Sequence, residues 1–168
     1  TEDEIRKQCP WATLGRKGGR QPNIITSLEL DSAVMEQNNL RFQKKYAEIE
    51  ANEVRYEEYQ TEDADYILVA FGSSARICNK TVQLAREQGI KVGILRPITL
   101  WPFPTKEIAK LADRTKGFLV AELNAGQMIE DVRLAVNGKV PVEHYGRMGG
   151  MLFSPDEILQ ALKEKVIK

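Results

Sequence analysis

Histidine, cysteine and surplus charge are what this sequence has least of. Its 168 residues include one histidine, His144, and two cysteines, Cys9 and Cys78, which lie far apart and in no CxxC arrangement. An iron–sulfur cluster takes roughly four thiolates, so this chain cannot hold one alone. A lone histidine with no cysteine nearby makes a poor metal site and reads as a packed or rim residue. Cys78 falls on a helical stripe and reads as an ordinary buried residue. Low cysteine usage and the lack of an export signal fit a reducing cytoplasm. The 24 Lys and Arg residues cancel the 24 Asp and Glu residues. No cationic surplus is left to neutralise phosphates, which excludes an electrostatic nucleic-acid binder. No apolar run approaches the ~20 residues that a helical membrane span needs. The first residues, Thr1-Glu2-Asp3-Glu4, are acidic and carry none of a signal peptide's basic and apolar regions. The missing initiator methionine suggests a fragment of a longer chain. No GxSxG, HExxH, GxGxxG or GDG segment occurs, so no catalytic set is legible from motifs.

What is present is a hydrophobic share of 42%, enough for one α/β domain with an appendage. Residues 1–51 read as a linker and helical arm, and residues 52–168 as the α/β domain. Within the arm, residues 15–22 form a Gly- and Arg-rich loop that lacks phosphate-loop spacing. Met35, Phe42, Tyr46 and Ile49 make one stripe of a helix ending near Glu50. Residues 53–59 carry charge on both faces, as suits an edge strand. Then an alternation of strand and helix begins. Residues 66–71, 92–95, 118–121 and 140–145 are apolar strands of the kind covered on both faces. Between them lie helices with inner stripes at Cys78, Val82 and Ala85, at Ile108, Leu111 and Ala112, and at Met128, Val132 and Ala135. A serine of Gly72-Ser73-Ser74 caps the first of these helices and Thr105 the second. Gly89, Gly117 and Gly138 close the three in turn. Ser154-Pro155-Asp156-Glu157 is a capping box with proline at the first helical position. It opens a last helix whose Ile158, Leu159, Leu162 and Val166 face the core. Strands spaced by single helices imply right-handed crossovers and a parallel sheet.

In such a sheet, ligands and partners gather at the carboxyl ends of the strands. The loop from Arg96 and Pro97 through Trp101 and Phe103 to Pro104 holds three prolines and two large apolar side chains. A loop so stiff and apolar either covers its own domain or is buried against another. The loop at residues 122–127 leads to a helix N-terminus, where amides can hold an anion. Asn124, Gly126 and Gln127 are candidates there, the other reading being that Asn124 caps the helix and Gln127 is solvated. Arg147 with Gly149 and Gly150 either cradles an anion or forms a plain turn.

Three segments resemble one family. Leu95-Arg96-Pro97-Ile98-Thr99-Leu100-Trp101-Pro102-Phe103-Pro104 is similar to the hallmark loop of the large subunit of 2-oxoacid:ferredoxin oxidoreductases. Glu122-Leu123-Asn124-Ala125-Gly126-Gln127-Met128 with Glu130-Asp131-Val132-Arg133 is similar to that family's next motif. Gly149-Gly150 with Ser154-Pro155-Asp156-Glu157-Ile158 is similar to its C-terminal end. Thr26-Ser27-Leu28-Glu29-Leu30-Asp31 looks like its linker, with Ser27 and Leu30 where the family has glycine and histidine. The resemblance covers roughly residues 24–168, and the first two motifs in tandem are its specific part. It implies a transketolase C-terminal-like three-layer sandwich. In that fold the edge strand 53–59 runs antiparallel to four parallel strands in the order 1-3-2-4-5. It also implies an assembly that oxidatively decarboxylates a 2-oxoacid, closest to the 2-oxoisovalerate type and next to the 2-oxoglutarate type. Such an assembly uses thiamine diphosphate, Mg²⁺, coenzyme A and iron–sulfur clusters and reduces ferredoxin. By the same resemblance those groups are held by other domains and a partner subunit. No family catalytic residue maps onto this chain, and its role is structural. Two readings compete. One is the equivalent domain of a transketolase or a 2-oxoacid dehydrogenase E1 component. The other is a free-standing module that binds a small anion at the strand-end rim.

Overall fold

A computed structural model describes residues 1–9 and 27–167. The loop at residues 15–22 and Thr26 lie outside the described residues. The chain divides into two units, Thr1–Lys44 and Lys45–Lys168.

The first unit holds helix α1, Glu2–Gln8, and the greater part of α2, Ser32–Asn52. The helix α1 was not expected. It opens on a capping box in which the Thr1 side chain accepts from the Glu4 amide and Glu4 answers the Thr1 backbone. Asp31 starts α2, its carboxylate accepting from the amides of Ala33 and Val34 at 2.9 and 3.1 Å. The helix runs two residues past Glu50, and none of its residues is buried.

The second unit is the α/β domain. Its sheet comprises β1 Tyr56–Tyr59, β2 Tyr66–Val69, β3 Val92–Pro97, β4 Gly117–Glu122 and β5 Val142–Gly146. The order is β1-β3-β2-β4-β5. Only β1 is antiparallel, with Tyr56 opposite Pro97 and Tyr59 opposite Ile94. Helices α3 Gly72–Glu87 and α6 Pro155–Leu162 cover one face, and α4 Thr105–Ala112 and α5 Met128–Val136 cover the other. The period of two along each strand divides the core between the faces. Leu68, Ala70, Ile94 and Leu119 meet Cys78, Val82, Ile158 and Leu162 on the first. Ile67, Val69, Leu95, Phe118 and Val120 meet Ile108, Leu111, Ile129 and Val132 on the second. Cys78 is fully buried, which pushes its thiol up to about 12. Among the described residues no helix is long and apolar enough to cross a membrane.

Several local expectations are corrected. No serine caps α3: its cap position is Phe71, extended and without a side-chain bond, and Ser74 is buried inside the first turn. Gly72 makes the turn instead, at φ +56. Thr105 is the first residue of α4, not its cap, because Pro104 occupies that position. Gly117 does not close α4, which ends at Asp113. It opens β4, where the Val166 side chain packs so closely that a Cβ would lie 2.6 Å from it. Arg96 and Pro97 belong to β3, not to the loop after it. Arg86 and Arg114 hold the turn between β1 and β2. Arg86 grips Asp63 at 2.7 Å and the Gln60 carbonyl at 2.8 Å, and Arg114 donates to the carbonyls of Thr61 and Glu62.

The capping box of α6 is formed. The Glu157 amide donates to the Ser154 hydroxyl at 3.2 Å, and the Ser154 amide donates to the Glu157 carboxylate at 2.6 Å. Ser154→Ala should therefore lower stability by about 1 kcal/mol. Urea unfolding checks this, and an unchanged midpoint would show that the box carries no load.

Candidate functional site

The β4–α5 loop and the end of β5 meet around a side chain that motifs alone do not mark. Glu122 ends β4 and is fully buried. Three backbone amides and one side-chain amide are bonded to its carboxyl. The amides of Met128 and Ile129 donate at 2.8 and 3.2 Å, and that of Gln127 reaches both oxygens at 3.3 Å. The Asn124 side-chain amide donates at 3.2 Å. The protein thus supplies its own anion to the N-terminus of α5, where the helix dipole and free amides favour negative charge.

This arrangement corrects the reading of loop 122–127. Asn124 does not cap α5. Its carbonyl oxygen accepts from the Gly126 amide at 2.7 Å and closes the loop on itself. Gln127 stands at the cap position but makes no side-chain cap bond. Gly126 is required by its φ of +106, and the nearest neighbour a Cβ would meet is the Ile129 side chain at 3.2 Å, with the His144 ring beyond it at 3.6 Å. Gly146 makes room for the same ring, since a Cβ there would reach within 2.6 Å of its Cε1. The His144 Nε2 is buried, has no hydrogen-bond partner, and lies 3.7 Å from the Glu122 carboxylate. Burial holds this histidine below its ordinary range. Glu122 opposes that, while Lys165 and Arg133 add to it.

The other rim residues are committed or open. Arg147 is ion-paired with Glu157, and its amide donates to the Glu122 carbonyl at 3.2 Å. That pairing raises the Arg147 guanidinium further. The Ser154 amide first, and Arg147 after it, hold Glu157 below the usual carboxylate range. Gly149 and Gly150, both at positive φ, have open space beside them.

The proline-rich loop divides its two large side chains. Phe103 is half-buried and packs on its own domain's core, between the buried Pro102 and Pro104. Trp101 is 54% exposed. Its ring stands edge-on to Tyr46 at 5.5 Å, above a groove of about 660 Å³ lined by Ala47, Ala51, Val54 and Phe103. The loop is tied to the entry of β1. Ile98 and Thr99 donate to the Arg55 carbonyl, the Arg55 amide returns a bond to the Thr99 hydroxyl, and that hydroxyl donates to the Pro102 carbonyl. Arg96 pairs with Glu57 at 2.8 Å across the β1–β3 ladder.

A model of the pyruvate:ferredoxin oxidoreductase core domain II matches residues 64–158, more than half of the chain. The chain belongs to this family. The resemblance read from the loops at 95–104 and 122–133 therefore holds, and the transketolase and E1 alternatives give way to it. Over 161 residues this domain II is 45% identical to ketoisovalerate oxidoreductase subunit VorB of Methanothermobacter thermautotrophicus. That match covers 96% of this chain and 45% of the relative, so the chain spans about half the length of the curated protein it resembles. The fold is similar to that of the 2-oxoglutarate:ferredoxin oxidoreductase of Magnetococcus marinus, solved with 2-oxoglutarate, coenzyme A and succinyl-CoA bound. The TM-score is 0.68 at 21% identity, over 89% of this chain and 27% of that one. A split-gene transketolase, in an inactive tetramer, shares the fold at TM-score 0.58 and 16% identity, over 67% of this chain and 41% of that one. The expected sheet, including its antiparallel edge, is thus that of a transketolase-like domain.

Removing the buried carboxyl tests the corner directly. Glu122→Ala would leave at least three helix amides without an acceptor, at about 1–3 kcal/mol for each donor so stranded. Domain II should lose at least about 3 kcal/mol of stability, more than Glu122→Gln, which keeps one acceptor oxygen. Equal losses in the two variants, measured by urea unfolding, would reject the carboxyl's role as the helix cap.

Proposed function

We propose that this domain II is the C-terminal, structural part of the large subunit of a 2-oxoacid:ferredoxin oxidoreductase, and that its assembly acts on 2-oxoisovalerate. The observation that supports this best is the 45% identity to the ketoisovalerate oxidoreductase subunit over 96% of the chain. The assembly would use thiamine diphosphate, Mg²⁺, coenzyme A and iron–sulfur clusters and would pass electrons to ferredoxin, as the resemblance implies. Among the described residues neither a diphosphate nor a metal ion finds a fit. The α5 amides that would suit a diphosphate are committed to Glu122. Among the described residues no three His, Cys, Asp or Glu side chains converge for a metal. Domain II contributes packing surfaces to an enzyme completed by other domains and a partner subunit in the cytoplasm.

The surface that best suits such packing is Trp101 with the exposed Ile98 and Leu100 of the same loop; Pro97 is buried within β3 and Arg96 is held by Glu57, so neither of these expected interface residues is free for it. A large apolar side chain gains roughly 1.5–3 kcal/mol on full burial. The bonds to Arg55 hold the loop ready, so docking costs little further ordering. Phe103, packed inward, contributes to folding and not to docking.

The proposal is tested on the assembled complex. With coenzyme A present, 2-oxoisovalerate should support ferredoxin reduction faster than 2-oxoglutarate or pyruvate. No reduction with any of the three would overturn the reading. Trp101→Ala should leave the melting temperature of the chain unchanged and weaken co-purification with the partner subunit. Phe103→Ala should do the reverse. A lower melting temperature with normal co-purification for Trp101→Ala would remove that residue from the docking surface.

A further inference from the structure

The His144 imidazole serves no purpose yet described. Its Nε2 is buried and unpartnered, faces a fully buried carboxylate across 3.7 Å, and lies against Gly146, where a Cβ would come within 2.9 Å of it. In the neutral ring this nitrogen is either an unused donor or an acceptor facing another acceptor. At 3.7 Å neither state uses the carboxylate. A shift of under about 1 Å would bring Nε2 to hydrogen-bond distance; the Nε2–H tautomer donates there without charge, and the imidazolium adds the charge that draws the carboxylate in. The ring remains 24% exposed, so a proton can reach it without unfolding. The oxygen it faces, Oε2, is the one that accepts from Ile129 and shares the Gln127 amide.

We propose that His144 is a proton-operated catch on the β4–α5 corner. Neutral, it leaves Glu122 to the amides of Gln127, Met128 and Ile129 and to the Asn124 side chain. Protonated, it draws Oε2 toward Nε2 and away from Gln127 and Ile129, so the N-terminus of α5 and the loop at residues 123–127 loosen together. The charged groups facing the ring are Glu122 from β4, Arg133 from α5, and Lys165 from the π-helical turn Lys163–Ile167. Lys165 also donates to the His144 carbonyl at 2.9 Å. Two of the three are cations that resist a further positive charge, and burial resists it too. Taking up the proton therefore competes with the resting arrangement. The sign follows from linkage. The folded histidine lies below its unfolded value, so the unfolded chain binds more protons in the window beneath about pH 6.5, and stability falls as pH drops through it.

Because His144 is the only histidine in the chain, one imidazole signal reports the event without ambiguity. An NMR titration from about pH 8 to about pH 5 should place its midpoint below about 6.5. The backbone amides of Gln127, Met128 and Ile129 should shift with the same midpoint. In His144→Gln those three amides should stay still across the range. In Glu122→Gln the imidazole midpoint should fall further, since the one group favouring its charge is gone. An imidazole that titrates while the α5 amides do not move would overturn the catch. So would amides that move equally in His144→Gln.

Discussion

A carboxylate buried at the end of a central strand is the constraint around which the strand-end rim is built. Taking an ion out of water costs several kcal/mol unless donors replace the lost hydration. Glu122 finds those donors in the first amides of α5 and in Asn124, and a helix N-terminus strengthens them by its dipole. The bond runs both ways. The helix gains an anion that its own first turn does not provide at the cap, and β4 gains a fixed exit direction. The rest of the corner is shaped to permit this bond. Gly126 turns the loop back, Gly146 lets β5 pass with His144 tucked beside the carboxyl, and Arg147 hangs its amide on the Glu122 carbonyl. An anion-binding terminus that carries its own anion is a structural joint.

What the chain reveals when read residue by residue depends on how local the cause is. The four parallel strands are legible because burial on both faces leaves continuous apolar runs such as Tyr66–Val69. The helices are legible because their inner stripes recur at helical spacing, and the capping box at Ser154 because its two partners lie three residues apart. The starts of α3 and α4 were misread for the opposite reason: backbone turns at Gly72 and Pro104 make them, and the nearby serines and threonine are bystanders. The box at Thr1 and Glu4 was readable and was passed over. Glu122 gave a weaker signal, an acid closing an apolar run shortly before a helix. Its role becomes plain only when the loop folds back and brings amides five to seven positions away onto its oxygens.

The proline-rich loop shows a related limit. Trp101 and Phe103 looked alike in composition, yet the buried Pro102 between them sends one outward and the other into the core. Composition marked the loop as apolar. The fold of the loop, tied to Arg55 through Thr99, leaves one of them for the domain's own core.

The antiparallel edge carries a consequence for how the polypeptide comes into being. Strand β1 has one ladder partner, β3, and Tyr56 pairs with Pro97. On a ribosome, which releases the amino end first, Tyr56 to Tyr59 therefore emerge well before anything exists to hold them. During that interval the segment is an unpaired strand with aromatic ends, the kind of sequence prone to cling to its neighbours. Glu57 and Glu58, side by side in its middle, keep it in solution until the arginine that will neutralise Glu57 arrives within β3 itself. The same charges that make the segment a poor central strand thus make it a safe one to leave waiting.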